Sequence, residues 1–252
     1  MYKRQHLPLL FGPDGKKLSK RHGDTSLKAY REGGYLPEAV FNYLSLLGWS
    51  YDAETTIFSV EQAIERFDLS GVSKNPAVFD VDKLQWMNGE YVRAIDTSDF
   101  TERSRVFVEA DLGRPATDQE WETFTTMSAL LQERVKLMPE VGELSRFLFV
   151  DDVEYDERSW SKVMKGDTVV QALESAISQL ESTDGWSAEA IEARLRQSLE
   201  DTGLNPRKGW QPLRVAVTGS QVSPPLFESM EAIGKTLTLR RLHRALETLN
   251  SS

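Results

Sequence analysis

Gly34-Tyr35-Leu36-Pro37-Glu38-Ala39-Val40-Phe41-Asn42-Tyr43-Leu44-Ser45-Leu46-Leu47-Gly48 holds one amphipathic helix, opening at Pro37. Pro37 suits the first turn, where its missing N–H has no intrahelical partner to lose. Val40, Tyr43, Leu44 and Leu47 recur at the spacing that builds one apolar face, and Gly48 ends the run. The same period extends outward. Upstream, Asp24 or Thr25 would cap a short helix through Arg31, closed by Gly33-Gly34. Downstream, Ser59 with Gln62 forms a capping box ahead of Ala63, Ile64 and Phe67. Asp80 caps a helix to about Arg93, with Val81, Leu84 and Met87 inward. Further helices are predicted near 99–110, 118–136, 139–148, 161–181, 187–201, 211–218, 226–233 and 235–249. Alternation at period two is scarce, with no internal repeat or low-complexity tract, so the expected fold is mainly α.

At 252 residues, 40% hydrophobic and 27% charged, the chain has room for two or three small globular domains. No apolar run approaches the roughly 20 residues that span a bilayer, and no signal-peptide pattern is present, so no membrane and a cytoplasmic location are expected. There is no cysteine, and His6, His22 and His243 stand far apart, so no zinc or other metal site is visible. Asn250-Ser251-Ser252 formally matches a glycosylation acceptor and is discounted for want of a secretion signal.

The net charge of −9 is unevenly divided. Residues 1–35 carry +5, residues 36–200 carry −17 and residues 201–252 carry +3. Basic ends around an acidic middle suit a protein that grips nucleic acid at two separate places.

Gly15-Lys16-Lys17-Leu18-Ser19-Lys20-Arg21 holds four cations and a hydroxyl, with Gly12 and Gly23 on either side. A lysine-rich heptamer is commonly a solvated loop. Flexible backbone with clustered cations also suits a loop that closes on a polyphosphate and neutralises transition-state charge. Gly234-Lys235-Thr236 ends like a P-loop, but Ser229 stands where glycine is required, so it reads as a turn opening a helix.

The series Leu7-Pro8-Leu9-Leu10, Pro13-Asp14-Gly15-Lys16-Lys17-Leu18-Ser19-Lys20-Arg21-His22-Gly23, Gly34-Tyr35-Leu36-Pro37-Glu38-Ala39, Asn42-Tyr43-Leu44 and Leu47-Gly48-Trp49 resembles the glutamyl-tRNA synthetases of class I. The resemblance continues at Val78-Phe79-Asp80, Trp86-Met87-Asn88, Pro212-Leu213-Arg214, Thr218-Gly219 and Ser223-Pro224-Pro225-Leu226-Phe227, covering nearly the whole chain from His6. It implies a glutamate–tRNA ligase that uses ATP, with Mg2+ expected alongside, and glutamate tRNA as partner. Lys17 and Lys20 are implied as the two signature lysines, catalytic and ATP-contacting, with Ser19 and Arg21 completing the ATP-binding loop. Arg134, Arg214, Ser223, Pro224 and Phe227 are implied as tRNA-binding positions at the anticodon, Arg134 at its third base. Single-stranded bases are read by stacking and edge hydrogen bonds, for which arginine offers a plane and a fixed fork. The bland reading makes the Ser223–Phe227 turn a plain helix linker with Phe227 in the core, and Arg134 an ordinary exposed charge on a helix. Trp49, Trp86, Trp160, Trp186 and Trp210 read as core or hinge residues.

The resemblance divides the chain into residues 1–24, a remnant of the catalytic domain; 25–97, a helical stem-contact region; and 98–152 and 153–252, two all-α anticodon-binding parts. The bacterial glutaminyl relatives use β-barrels there, which the helical pattern disfavours. Nothing in the sequence corresponds to the Rossmann-type domain with its first ATP signature and glutamate pocket. The chain is therefore expected to be inactive alone and monomeric, and glutamate to bind only through the missing N-terminal domain. Met1-Tyr2-Lys3-Arg4-Gln5 fits the family poorly and resembles a translated sequencing-adapter end, so a truncated reading of a longer gene is expected. The alternative is a free-standing, non-catalytic tRNA-binding protein.

Overall fold

The computed structural model of the chain describes residues 9–19 and 26–251. Among them the backbone forms twelve α-helices and one two-stranded sheet, a mainly α fold. No helix of the described residues is long and apolar enough to cross a membrane. The chain divides into two compact units, Met1–Phe100 with Val135–Glu140, and Thr101–Arg134 with Val141–Ser252.

In the first unit, β1 (Leu10–Phe11) and β2 (Ala77–Val78) pair in parallel, Leu10 beside Ala77 and Phe11 beside Val78. Between them lie α1 (Leu27–Glu32), α2 (Pro37–Leu46) and α3 (Val60–Arg66). Both halves of the Ser59/Gln62 capping box form at the start of α3. From β2 the chain enters α4 (Val81–Ala94), whose N-terminus Asp80 caps through Lys83 N–H. Helices α2 and α4 pack through buried Tyr43, Leu84 and Met87, with Phe79. The Tyr43 ring meets Phe79 edge-on at 5.2 Å, and its hydroxyl accepts the Asp80 N–H at 2.6 Å. That bond ties the cap of α4 to α2, and burial pushes the phenol up to about 12.

Asn88, fully buried, accepts the Leu36 N–H at 2.7 Å and donates to the Lys136 carbonyl at 2.5 Å. It thereby fixes the entry to α2 against segment 135–140. Gly34 passes the same segment with φ +76°, so close that a Cβ would stand 2.0 Å from Pro139 Cδ.

Three expectations change in this unit. Ser26 caps α1 by accepting the Ala29 N–H, in place of Asp24 or Thr25, which lie outside the described residues. Leu44 and Val81, expected inward, are 45% and 42% exposed. Only a narrow face of α2 is covered, and Val81 is the first residue of its helix, so both fall at the margin of the core. Trp86 is 45% exposed on α4 and is not a core residue, whereas Trp49 is buried against Phe58.

The second unit holds most of α5 (Thr97–Leu112), then α6 (Asp118–Gln132), α7 (Glu140–Ser145), α8 (Glu157–Val163), α9 (Asp167–Glu181), α10 (Ala188–Thr202), α11 (Pro206–Thr218) and α12 (Leu226–Asn250). Helices α9 to α12 enclose the main core, including Leu173, Leu180, Ile191, Leu195, Leu213 and Leu242. Trp160, Trp186 and Trp210 border it. The helix expected over 161–181 is two, because Gly166 adopts φ +85° between α8 and α9. The helix expected over 118–136 ends at Gln132, so Arg134 stands beyond its C-terminus. Helix α11 begins at Pro206, earlier than expected, and carries Pro212 inside. Helix α12 is interrupted at Gly234 (φ 81°, ψ 165°), matching the two segments read on either side of it.

Arg241 is fully buried among backbone carbonyls. Its guanidinium donates to Val217 O at 2.7 Å, Phe147 O at 2.8 Å, Asp151 O at 3.2 Å and Val150 O. Arg240 pairs with Asp151 at 3.3 Å and Asp152 at 2.9 Å. The boundary expected between residues 152 and 153 is therefore fastened to α12.

Candidate functional site

The lysine loop grows out of β1. Gly12 N–H donates to Lys16 O at 2.8 Å, Gly15 N–H to Gly12 O at 3.0 Å, and Leu18 N–H to Leu10 O at 2.8 Å. Phe11 and Lys17 form an antiparallel bridge, and Asp14 Oδ1 accepts the Lys16 N–H at 3.0 Å. Gly15 makes the turn at φ +71°, a conformation that glycine adopts without a Cβ penalty. The result is a tight hairpin whose side chains alternate. Leu18 packs against the cluster of Tyr43, Phe79, Leu84 and Met87, while Lys17 and Ser19 on either side of it are exposed. An apolar residue between two polar ones thus anchors the loop. The Lys17 ammonium has no hydrogen bond or ion pair among the described residues, and Lys16 reaches Asp14 only at 4.0 Å. Lys20 and Arg21 lie outside the described residues. No group of three or more histidine, cysteine, aspartate or glutamate side chains among the described residues is placed to hold a metal.

A second cluster forms in the other unit. Arg214 on α11 points its Nη1 into the turn before α12, donating to Ser223 Oγ at 2.6 Å, Ser223 O at 3.3 Å and Pro224 O at 2.5 Å. Ser223 is buried, and its hydroxyl donates in turn to Pro224 O at 3.2 Å. Nε and Nη2 of Arg214 make no hydrogen bond among the described residues, which leaves one edge of the fork for a ligand. Burial pulls this guanidinium below its usual range; the positive field of Arg134 adds to the pull, and Glu228 opposes it. Arg134 is exposed, with no side-chain partner among the described residues.

The structure therefore joins Arg214 to Ser223 and Pro224, with Arg134 near enough for its charge to act on Arg214. Ser223 and Pro224 face the arginine, so their placement is that of a bracket that aims it. Phe227 is half-buried with its ring edge-on to Trp210 at 5.1 Å, on the core side of the turn. The lysine loop belongs to the other unit. Sequence reasoning missed Glu228, because an acid in the first turn of a helix reads as a simple complement to the helix dipole. The signal that could have found it is its position, directly after the Ser223–Phe227 turn.

Comparison with known proteins bears on both clusters. Residues 93–246 match the family model described as "Anticodon binding domain", and residues 1–86 match "tRNA synthetases class I (E and Q), catalytic domain". The chain is 42% identical over 241 residues to a glutamate–tRNA ligase of Arthrobacter sp. (strain FB24), covering 94% of this chain and 48% of that one. It is 44% identical over 247 residues to the glutamate–tRNA ligase of Corynebacterium jeikeium (strain K411), covering 96% and 49%. The crystal structure of a glutamate tRNA ligase from Elizabethkingia meningosepticum, in complex with its amino acid, matches with a TM-score of 0.80 at 30% identity, over 97% of this chain and 51% of that one. The chain thus spans about half the length of the relatives it matches. The arginine cluster lies within the anticodon-binding match and the lysine hairpin within the catalytic-domain match, and with relatives of one kind along nearly its whole length the chain belongs to the glutamyl-tRNA synthetase family.

Proposed function

We propose that the chain supplies the tRNA-reading part of a glutamate–tRNA ligase, holding the anticodon of glutamate tRNA at the arginine cluster and the stem through residues 25–97. The observation that carries this reading is Arg214 held by Nη1 in the Ser223–Pro224 turn with its other donors unpaired among the described residues, and the charge of Arg134, far away in sequence, acting on it. An unstacked base offers a π face and a hydrogen-bonding edge. Arg214, held through Nη1, presents its plane and remaining donors to such a base, and Arg134 supplies a second, unpaired fork for the third anticodon position.

The lysine hairpin serves the chemistry. A glutamate carboxylate oxygen attacks the α-phosphorus of ATP, and the bond to pyrophosphate breaks. The terminal ribose hydroxyl of the tRNA then attacks the acyl carbon, and AMP leaves. Lys17, exposed at the hairpin, and Lys20 would neutralise the charge that builds on the α-phosphate and the departing pyrophosphate, with Ser19 and Arg21 helping to hold the nucleotide. In this reading the glutamate pocket and the first ATP signature lie in the half of the relatives that this chain does not span. The 252-residue chain by itself then forms no glutamyl-adenylate. A cation presented at the end of an anchored hairpin supports a synthetase origin over a free-standing tRNA-binding module, which has no use for it.

Filter-binding titration with glutamate tRNA and anticodon variants, at two salt concentrations, tests the binding role. Affinity that depends on anticodon bases supports it; binding indifferent to them refutes it, because phosphate contacts alone would give that result. Glutamate-dependent ATP–pyrophosphate exchange by the purified chain would overturn the assignment of adenylate formation to the other half.

A further inference from the structure

Glu228 opens α12 immediately after the Ser223–Phe227 turn. Its Oε2 is buried and accepts no hydrogen bond among the described residues. A carboxylate is an acceptor only, and an unpaired buried oxygen is unfavourable until some donor reaches it. With Thr123, Thr126, Met127, Leu130 and Ala232, Glu228 lines a cavity of about 550 Å³ between α6 and α12. It also acts electrostatically on Arg214, whose Nε and Nη2 are donors without partners among the described residues. An acceptor and donors, all without partners among the described residues, thus flank the same Ser223–Phe227 turn.

We infer that Glu228 reads the edge of an anticodon base, accepting its exocyclic amino hydrogen while Arg214 donates to the ring acceptors beside it. The inference rests on the proposed anticodon role of this site and adds a specificity residue to it. Cytosine fits this pair. Its N4 amino group meets the carboxylate, and its N3 and O2 lie next to it as two acceptors for the guanidinium fork. Uracil places the O4 carbonyl where the amino group was, so two oxygens would face each other. The discrimination is therefore repulsive as well as attractive.

The test uses the full chain and anticodon stem-loop hairpins carrying cytosine, uracil or pyrimidin-2-one at each anticodon position in turn. Pyrimidin-2-one removes only the amino group. The wild type is expected to bind cytosine about tenfold more tightly than either replacement at one position. Glu228→Gln can donate to O4 as well as accept, so its cytosine-to-uracil ratio should fall to within about twofold; Glu228→Ala should lose the preference over both replacements. The ratio is the readout because removing a negative charge raises affinity for every hairpin alike. Thermal melts monitored by circular dichroism check that each variant folds, and Glu228→Gln keeps the shape should the alanine variant fail. A Glu228→Gln variant with the wild-type cytosine-to-uracil ratio, or a folded Glu228→Ala variant with either wild-type ratio, overturns the inference, as does a wild type that binds hairpins but prefers cytosine at no position. Failure of the wild type to bind any hairpin removes the anticodon reading itself.

Discussion

Arg241→Met should destabilise the second unit severely. The substitution keeps a long, flexible side chain but removes every donor from the carbonyls of Phe147, Val150, Asp151 and Val217. A buried carbonyl that loses its donor costs about 1.5–2 kcal/mol, or roughly 6–8 kcal/mol for the four. Part is recovered, because burial holds the Arg241 guanidinium down to about 10 from its usual 12.5. Methionine returns that desolvation, about 3 kcal/mol. The group still titrates well above neutral pH, so it is charged when the protein folds. The net loss is about 3–5 kcal/mol, the range expected when a buried charge network loses one partner. Urea unfolding followed by tryptophan fluorescence reports on this unit, since Trp160, Trp186 and Trp210 border its core. With a denaturant slope of about 2 kcal/mol/M, the midpoint should fall by about 2 M. Arg241→Lys keeps a cation with a single donor centre and should lose about half as much. A methionine variant within about 0.3 M of wild type would mean that those carbonyls find other donors and that Arg241 clamps nothing.

Gly34→Ala forces a Cβ into Pro139 from a left-handed backbone, so it should cost about 3 kcal/mol, read as a fall in the thermal midpoint. An unchanged midpoint would show that segment 135–140 moves freely away. Arg114 holds the Glu120 carboxyl down to about 2, below its unfolded value of 4.5. That contribution is present above pH 4.5 and is lost as pH falls towards 2. For a pair at the surface it amounts to about 1 kcal/mol. Glu120→Gln should therefore be less stable than wild type at pH 7, by a difference that narrows between those values in urea titrations; a constant difference argues against the ion pair. Arg214→Lys keeps the charge and loses the fork, so glutamate tRNA should bind about tenfold more weakly with the salt slope unchanged. Arg134→Ala should relax discrimination at the third anticodon base alone; equal weakening for all bases would make it a phosphate contact.

Much of the helical architecture was legible because its signals are local. Pro37, the Ser59/Gln62 box and Asp80 each act within one turn of the helix they start. The inward faces of α2 and α4 were harder. Whether Leu44 or Val81 is covered depends on what packs across from it, which periodicity does not contain. Strands β1 and β2 are too short to show alternation, so the pairing that anchors the lysine hairpin carried no sequence signal. The arginines of the second site were identifiable by type and by resemblance, but no spacing rule brings Arg134 to Arg214. Arg241 was invisible because a basic residue between Arg240 and Arg244 reads as part of a solvated helix face.

The cavity beside α6 gives a role to acidic side chains drawn from both the middle and the C-terminal part of the chain. Glu122, Glu228 and Glu231 all line it, with Arg134 and Arg214 the cations of the adjoining cluster. Phosphates are repelled from such a cavity, whereas a neutral base is not, so acids beside arginines favour bases over backbone. That arrangement limits how much binding in this unit comes from released counterions. If Arg134 and Arg214 both met phosphates, an anticodon hairpin would show a log–log salt slope of only about −1.4. If they read bases, the slope should be shallower still. Full-length glutamate tRNA should show a steeper slope, because the exposed Lys16, Lys17, Lys28 and Arg31 of the other unit add phosphate contacts. Measuring both slopes between 50 and 200 mM salt separates the contributions, about those being the limits over which phosphate-driven binding collapses. A hairpin slope as steep as that of the whole tRNA would refute the division of labour, since it would require phosphate contacts from a unit whose cavity is acidic.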